Sequence, residues 1–506
     1  MAKRKRDNVA EAESAEKKAS AKKPKAVEPR SAPFKLTSTD NVTIQIITGS
    51  YDQVLHGITA LVKPTPGPAA ATKPNPKNGT PAAGPKAEFA DSFLFNAHTS
   101  SIRCLALSPP SAPVPGQAQK ILLATGSTDE RINLYNLSVH PPSSRSAEDQ
   151  QGLSGLTPRP VLENPRNREL GTLLHHSSNI TRLAFPNRSK LMSASEDSTV
   201  AVTRTRDWVL LHTFKCPIPK PQGRPSGDTA PMGGGPSGVN DFAVHPSNKI
   251  MITVARGERS MRLWNLETGK KARVLNFDRD ALAEIGEGRH STGEARRIVW
   301  GAADGEDEFA VGFDRDILVF SMDCLVKCRL MRDTKTKIHE FCYIPTDSEG
   351  DESALAVSTE DGRVLFFSTD KDNITKPGVA EGKKASSRGL PCAALVAQLG
   401  GKEAGVESRI KDFTVLPVED EQGQMSWFIV TGSSDGKVRL WHVEAGDLRS
   451  TGDKGRQVGK LLGTYETQNR ITCVEAFVMI PRPEGAEDSE FEFEESEGDD
   501  TEDDSD

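Results

Sequence analysis

Residues 48–57 read TGSYDQVLHG, and residues 431–440 read TGSSDGKVRL. Each runs small and β-branched residues into a turn acid and then into alternating apolar positions. That order reads as strand, tight turn, strand. The carboxylate can accept backbone N–H groups in the turn, and period-two alternation gives the strand one buried face. The two stretches differ in what precedes them. The second follows a short apolar strand, IKDFTVLP from residue 410, whereas the first follows only a basic tail. At the far end, RITCVEAF (470–477) looks like such a leading strand with its continuation missing. The chain opens with the later part of a unit and closes with the first part of one.

The same pattern recurs between these ends, with the turn acid six residues before a large or β-branched residue. TGSTDERINLYN places Asp129 and Tyr135, SASEDSTVAVTR Asp197 and Thr203, and VARGERSMRLWN Glu258 and Trp264. VGFDRDILVFS places Asp314 and Phe320, VSTEDGRVLFFS Asp361 and Phe367, and TGSSDGKVRLWH Asp435 and Trp441. The opening stretch is the seventh, with Asp52 and Ile58. Leading strands precede most of them: IRCLALS at 102, ITRLAFP at 180, VNDFAVHP at 239, RIVWGAA at 297 and IHEFCYIP at 338. Further strands such as WVLLHTF at 208 and GKLLGTY at 459 link the units. Four short strands per unit, repeated, is the signature of a propeller blade.

The two incomplete units then complete each other. RITCVEAF supplies an inner strand, residues 41–62 the middle strands, and EFADSFLF (88–95) the outer strand. Closing the ring this way removes open sheet edges. The expected fold is all-β: a single seven-bladed propeller over 41–480. Its last blade is closed by residues 41–95 together with 459–480, and disordered charged tails flank it at 1–40 and 481–506. Turn acids are spaced 77, 68, 61, 56, 47 and 74 residues apart, against ~40–45 for a bare unit. The excess reads as surface loops of Pro, Gly, Ser and Lys at 64–86, 139–168, 217–238 and 371–389.

The units resemble the WD repeat. A repeat of that family carries a His four residues before the inner strand's first apolar residue, which His98 and His176 match. Val406, Gly235, Glu294 and Thr467 occupy that position elsewhere. The resemblance implies a blade-structural set of Asp52, His98, Asp129, Tyr135, His176, Asp197, Trp264, Asp314, Asp361, Asp435 and Trp441. The side-chain network is expected to be fullest in the repeat with His98, Asp129 and Tyr135.

Motifs for chemistry are weak. Gly233, Gly235 and Gly238 match G-x-G-x-x-G, but a strand follows where a dinucleotide site needs a helix N-terminus. His175 and His176 are adjacent and would point to opposite faces of a strand. Seven cysteines show no C-x-x-C spacing and read as reduced and mostly buried. No run approaches the ~18 apolar residues of a membrane span. The chain is read as a non-enzyme with no cofactor, metal site, small-molecule substrate or membrane partner.

Charge is segregated. Residues 1–30 hold ten Lys/Arg against five Asp/Glu, and residues 484–506 hold fourteen acids without a Lys or Arg. The overall net charge is −7, so the body between is near neutral. The clusters Lys3, Arg4, Lys5 and Arg6, then Lys17 and Lys18, then Lys22, Lys23 and Lys25, resemble a nuclear import signal read by an import receptor. The acidic tail suits basic partners or solubility.

With the blades placed, GSYDQVLHG (49–57), AHTSSIRCLALS (97–108), LLHHSSNITRLAF (173–185) and RLWNLETGKKA (262–272) resemble the PAK-kinase-interacting WD-repeat protein family. The resemblance covers about 41–480. It implies, from the family's fungal members, a nucleolar scaffold for assembly of the large (60S) ribosomal subunit and pre-rRNA processing, with pre-60S proteins and rRNA as partners. Two alternatives stand beside it: an adaptor that binds and restrains a PAK-type kinase, and a histone- or chromatin-binding propeller. The acidic C-terminus departs from the Lys-rich tail of animal members. Candidate partner contacts on the entry side of the inner strands are Arg103, Arg182, Lys411 and Arg470.

Overall fold

The computed structural model describes residues 34–35 and 41–481, apart from 64–86, 115–117, 143–160, 219–236, 289–290, 332, 334, 346–352, 376–388 and 450–454. The import cluster from Lys3 to Lys25, the acidic tail and most of the predicted loops lie outside the described residues. Among the described residues no helix is long and apolar enough to cross a membrane.

Seven sheets, each with four antiparallel strands and two of them with a short fifth strand added in parallel, form seven blades in a propeller. Blade 1 comprises Ile102–Leu107, Lys120–Ser127, Ile132–Ser138 and Arg168–Leu173. Blades 2 to 6 begin with the inner strands Ile180–Asn187, Val239–Val244, Arg297–Ala303, Ile338–Tyr343 and Ile410–Glu419. Blade 7 takes Ile471–Val478 as its inner strand, followed outward by Val42–Ser50, Val54–Val62 and Ala87–Asn96. Its register pairs Gly49 with Cys473 and Ile44 with Val478. Each inner strand lies beside the next, and the seventh lies beside the first.

Apolar residues collect between blades rather than in one central core. Ile47, Leu55, Ile102 and Leu123 fill the blade 7/blade 1 layer, and Ile46, Val430, Leu440 and Ile471 fill the blade 6/blade 7 layer. The threefold T-G-S stretch follows from this packing. A Cβ on Gly49 would stand 2.7 Å from Ile102 Cγ2, and one on Gly126 would stand 2.7 Å from Ile180 Cγ2. The first apolar residue of the following inner strand occupies the space that any side chain there would need.

Four findings amend the sequence expectations. Lys460–Glu466 is the outer strand of blade 6, so only Ile471–Val478 of the 459–480 span builds the composite blade. Phe34–Lys35, placed in the disordered tail, pairs in parallel with Val418 and Glu419 of blade 6. The ends of the supposed 139–168 loop are built in: Val139, His140 and Asn164 are buried, and the His140 ring bonds the Ile480 carbonyl at 2.9 Å. Between blades 3 and 4 the spare length includes a short helix, Arg279–Glu284, whose Ala281 and Leu282 join the interblade layer with Phe277 and Ile285.

Candidate interaction face of the propeller

Turns that follow the second strand of each blade stand on the same face as the start of the inner strands, and side-chain networks fix both. In blade 1, His98 Nδ1 lies 3.1 Å from Asp129 Oδ2 and His98 Nε2 lies 2.7 Å from Thr125 Oγ1. The Thr99 amide donates to the same carboxylate at 3.1 Å. Burial depresses the His98 pKa, against the opposing pull of Asp129. Burial alone would raise Asp129, but the Thr99 amide and His98 bring it below the usual value. Tyr135 occupies the outer apolar position and packs against Phe95, with ring centroids 5.7 Å apart.

Blade 2 repeats the arrangement. His176 Nδ1 lies 3.0 Å from Asp197 Oδ2 and its Nε2 lies 2.7 Å from Ser193 Oγ. Against burial, bonds from His176 and Thr199 carry Asp197 down to about 2. His175 departs from the expected opposite-face placement. Its Nε2 also reaches Ser193, at 3.2 Å, because both histidines precede the strand, where alternation does not apply.

Blades without the His fix the turn acid differently, with residues that the sequence pattern did not single out. In blade 6, Arg439 donates to Asp435 at 3.4 Å and to Ser433 at 3.0 Å, while Trp441 Nε1 donates to Thr431 at 3.2 Å. In blade 3, Arg262 forms a two-pronged pair with Glu258, one contact at 2.6 Å, and Trp264 Nε1 donates to Thr253 at 2.9 Å. Both arginines lie four residues after the acid and are buried. Charge-assisted bonds of this kind are about twice as strong as neutral ones. The signal was present as E-x-x-x-R and D-x-x-x-R but reads, in sequence, as surface charge. Asp361 is held by Thr359 and Arg363, Asp314 by Arg296 at 3.0 Å, and Asp52 accepts the Arg470 amide at 3.2 Å.

The four proposed contacts separate into two places. Arg103 and Arg470 are exposed on the turn face, and the Arg470 guanidinium sits 5.5 Å from the Tyr51 ring centroid. Lys411 is half-buried beside them. Burial, then Arg409 and Arg470, lower its pKa. Arg182 corrects the expectation, since it points into the channel, 3.5 Å from Asp241 and 3.4 Å from Glu340. Arg297 joins Glu340 at 2.9 Å. Asp412 lies in the same wall, accepting the Val474 amide at 2.8 Å. Burial and Glu340 push its carboxyl up to about 7. An ion-paired channel wall thus lies beneath a cationic mouth.

A closed ring of seven blades whose turn acids are tied to His or Arg and to Thr or Ser is a WD-repeat propeller. The model for "WD domain, G-beta repeat" matches residues 91–136, 167–202 and 423–442, which contain the His98–Asp129, His176–Asp197 and Trp441–Thr431 contacts. The chain is 27% identical to Protein MAK11 of Saccharomyces cerevisiae over 442 residues, covering 83% of each. It is 24% identical to the p21-activated protein kinase-interacting protein 1-like of Danio rerio, covering 76% of this chain and 72% of that one. Shk1 kinase-binding protein 15 of Schizosaccharomyces pombe is 22% identical over 69% of each. The chain is thus similar to these proteins over most of its length.

Proposed function

We propose that this protein is a non-catalytic scaffold in nucleolar assembly of the large ribosomal subunit, acting on pre-60S particles and supporting pre-rRNA processing. One observation carries this reading: the similarity to MAK11 runs through 83% of both chains, and so through the ring itself rather than one repeat. The geometry supports it. Seven blades packed face against face present several turn loops at fixed spacing, and simultaneous weak contacts on a rigid frame add up to firm binding. The basic cluster from Lys3 to Lys25 would deliver the protein to the nucleus through an import receptor.

The second reading is a kinase adaptor, favoured by the kinase-interacting names of the Danio rerio and Schizosaccharomyces pombe relatives. Sedimentation of a tagged protein from nuclear extract, with sequencing of the associated RNA, separates the two. Co-migration with large-subunit rRNA precursors is expected. Recovery only in light fractions, with a PAK-type kinase and no pre-rRNA, would overturn the assembly reading in favour of the adaptor.

A further inference from the structure

Three successive blades place a cation at one equivalent position. The carbonyl of Lys337 in blade 5 accepts the Glu360 amide, that of Arg409 in blade 6 accepts the Ser434 amide, and that of Arg470 in blade 7 accepts the Tyr51 amide. Each bond joins the residue just before the inner strand to the end of the second strand. The same position holds Ser101 in blade 1, Asn179 in blade 2 and Gly238 in blade 3. Two residues inward from it stand His339, Lys411, Thr472 and Arg103. With Arg296 at the inward position of blade 4, paired to Asp314 at 3.0 Å, the cations form one arc over blades 4, 5, 6, 7 and 1, and blades 2 and 3 carry none at either position.

The arc is incompletely neutralised. Arg409 meets Glu360 at 3.6 Å, and Lys337 meets Asp314 only at 4.0 Å. The channel carboxylates Asp241 and Glu340 are engaged by Arg182 and Arg297. Among the described residues, the His339 Nε2 atom is buried without a hydrogen-bond partner. Beside Arg470 stands Tyr51, which is 59% exposed. An arc of cations with a flat aromatic ring at its centre suits a chain of phosphates with unstacked bases. An acidic protein segment would use the cations but leave the ring idle.

Deepening the assembly reading, and resting on it for the source of the RNA, we propose that this arc holds the phosphate backbone of single-stranded RNA while Tyr51 stacks on a base. The site needs ring closure, because Tyr51 and Arg470 come from opposite ends of the chain.

The test is fluorescence anisotropy of the purified full chain with a labelled single-stranded RNA of about sixteen nucleotides, from about 50 to about 200 mM salt. Arg470→Gln/Lys411→Gln should weaken binding and flatten the log–log salt slope by about 1.4, at roughly 0.7 per phosphate contact. Tyr51→Ala should cost about tenfold with the slope unchanged. Lys120→Gln/Lys190→Gln, at the opposite ends of the blades, should leave both unchanged and controls for bulk charge. Equal binding by the double arc variant and the wild type would overturn the proposal, as would binding of a polyglutamate peptide in preference to RNA. The measurement uses purified protein and the particle experiment uses extract, so either reading can fail alone.

Discussion

The Arg470 amide donates to the Asp52 carboxylate over 3.2 Å, joining residues 418 positions apart. Around that bond, the Tyr51 amide reaches the Arg470 carbonyl at 2.8 Å and Thr472 Oγ1 reaches the Gly49 carbonyl at 3.0 Å. The turn of the N-terminal hairpin and the start of the last strand thus form one corner of the ring. Cutting the bond network there should open the whole propeller rather than fray an end, because each blade buries its faces against two neighbours.

Gly49→Val tests the packing at this corner. The added side chain would meet Ile102 and Cys473 at 2.7 Å, and overpacking of this kind costs about 1–3 kcal/mol. Chemical denaturation should show that loss as a lower midpoint. Gly446→Val, where nothing lies within 4 Å of a Cβ, should stay near the wild type.

Asp129→Ala leaves the buried His98 ring and the Thr99 amide without their acceptor. About 1–3 kcal/mol of stability should go with it, read by thermal unfolding. Arg439→Met in blade 6 should behave similarly, since it strips Asp435 and Ser433 of a buried donor, and Lys437→Met, which loses only a half-exposed pair with Glu466, should cost less than about 1 kcal/mol.

Two channel-mouth groups give opposite pH signatures. His339 is held down to about 4 by burial and by Lys411, against about 6.5 in an unfolded chain. Its contribution is complete above the unfolded value and falls away as pH drops from about 6.5 toward 4. Asp412 stands at about 7, against about 3.9 unfolded. Its contribution is complete below the unfolded value and is lost as pH rises toward 7. Between about pH 4 and 6.5 the two slopes oppose each other, so melting temperature should fall with rising pH in that window relative to the wild type in His339→Gln, and should rise with pH relative to the wild type in Asp412→Asn.

Much of the fold was legible because blades are local. Turn acid, alternating apolar strand and leading strand recur with residues close in sequence, and two half-units at the ends can only complete each other. The helix Arg279–Glu284 was missed because six residues give too little periodicity to separate helix from loop. The candidate site was harder. Arg182 looked like Arg103 in sequence, and only the ring brings Glu340 from blade 5 across to hold it. Arg262 and Arg439 looked like surface charge because their partners lie four residues back in an exposed-looking turn. Tyr51 carried no signal until closure set it beside Arg470.

Hydrogen exchange of the full chain, followed against low concentrations of denaturant, tests the composite blade most directly. If residues 42–62 and 471–478 form one sheet, their most protected amides should share one opening free energy and merge with the inner strands of the other blades. Exchange of 42–62 at a markedly lower opening free energy, with 471–478 still protected, would contradict the closure and with it the site that closure builds.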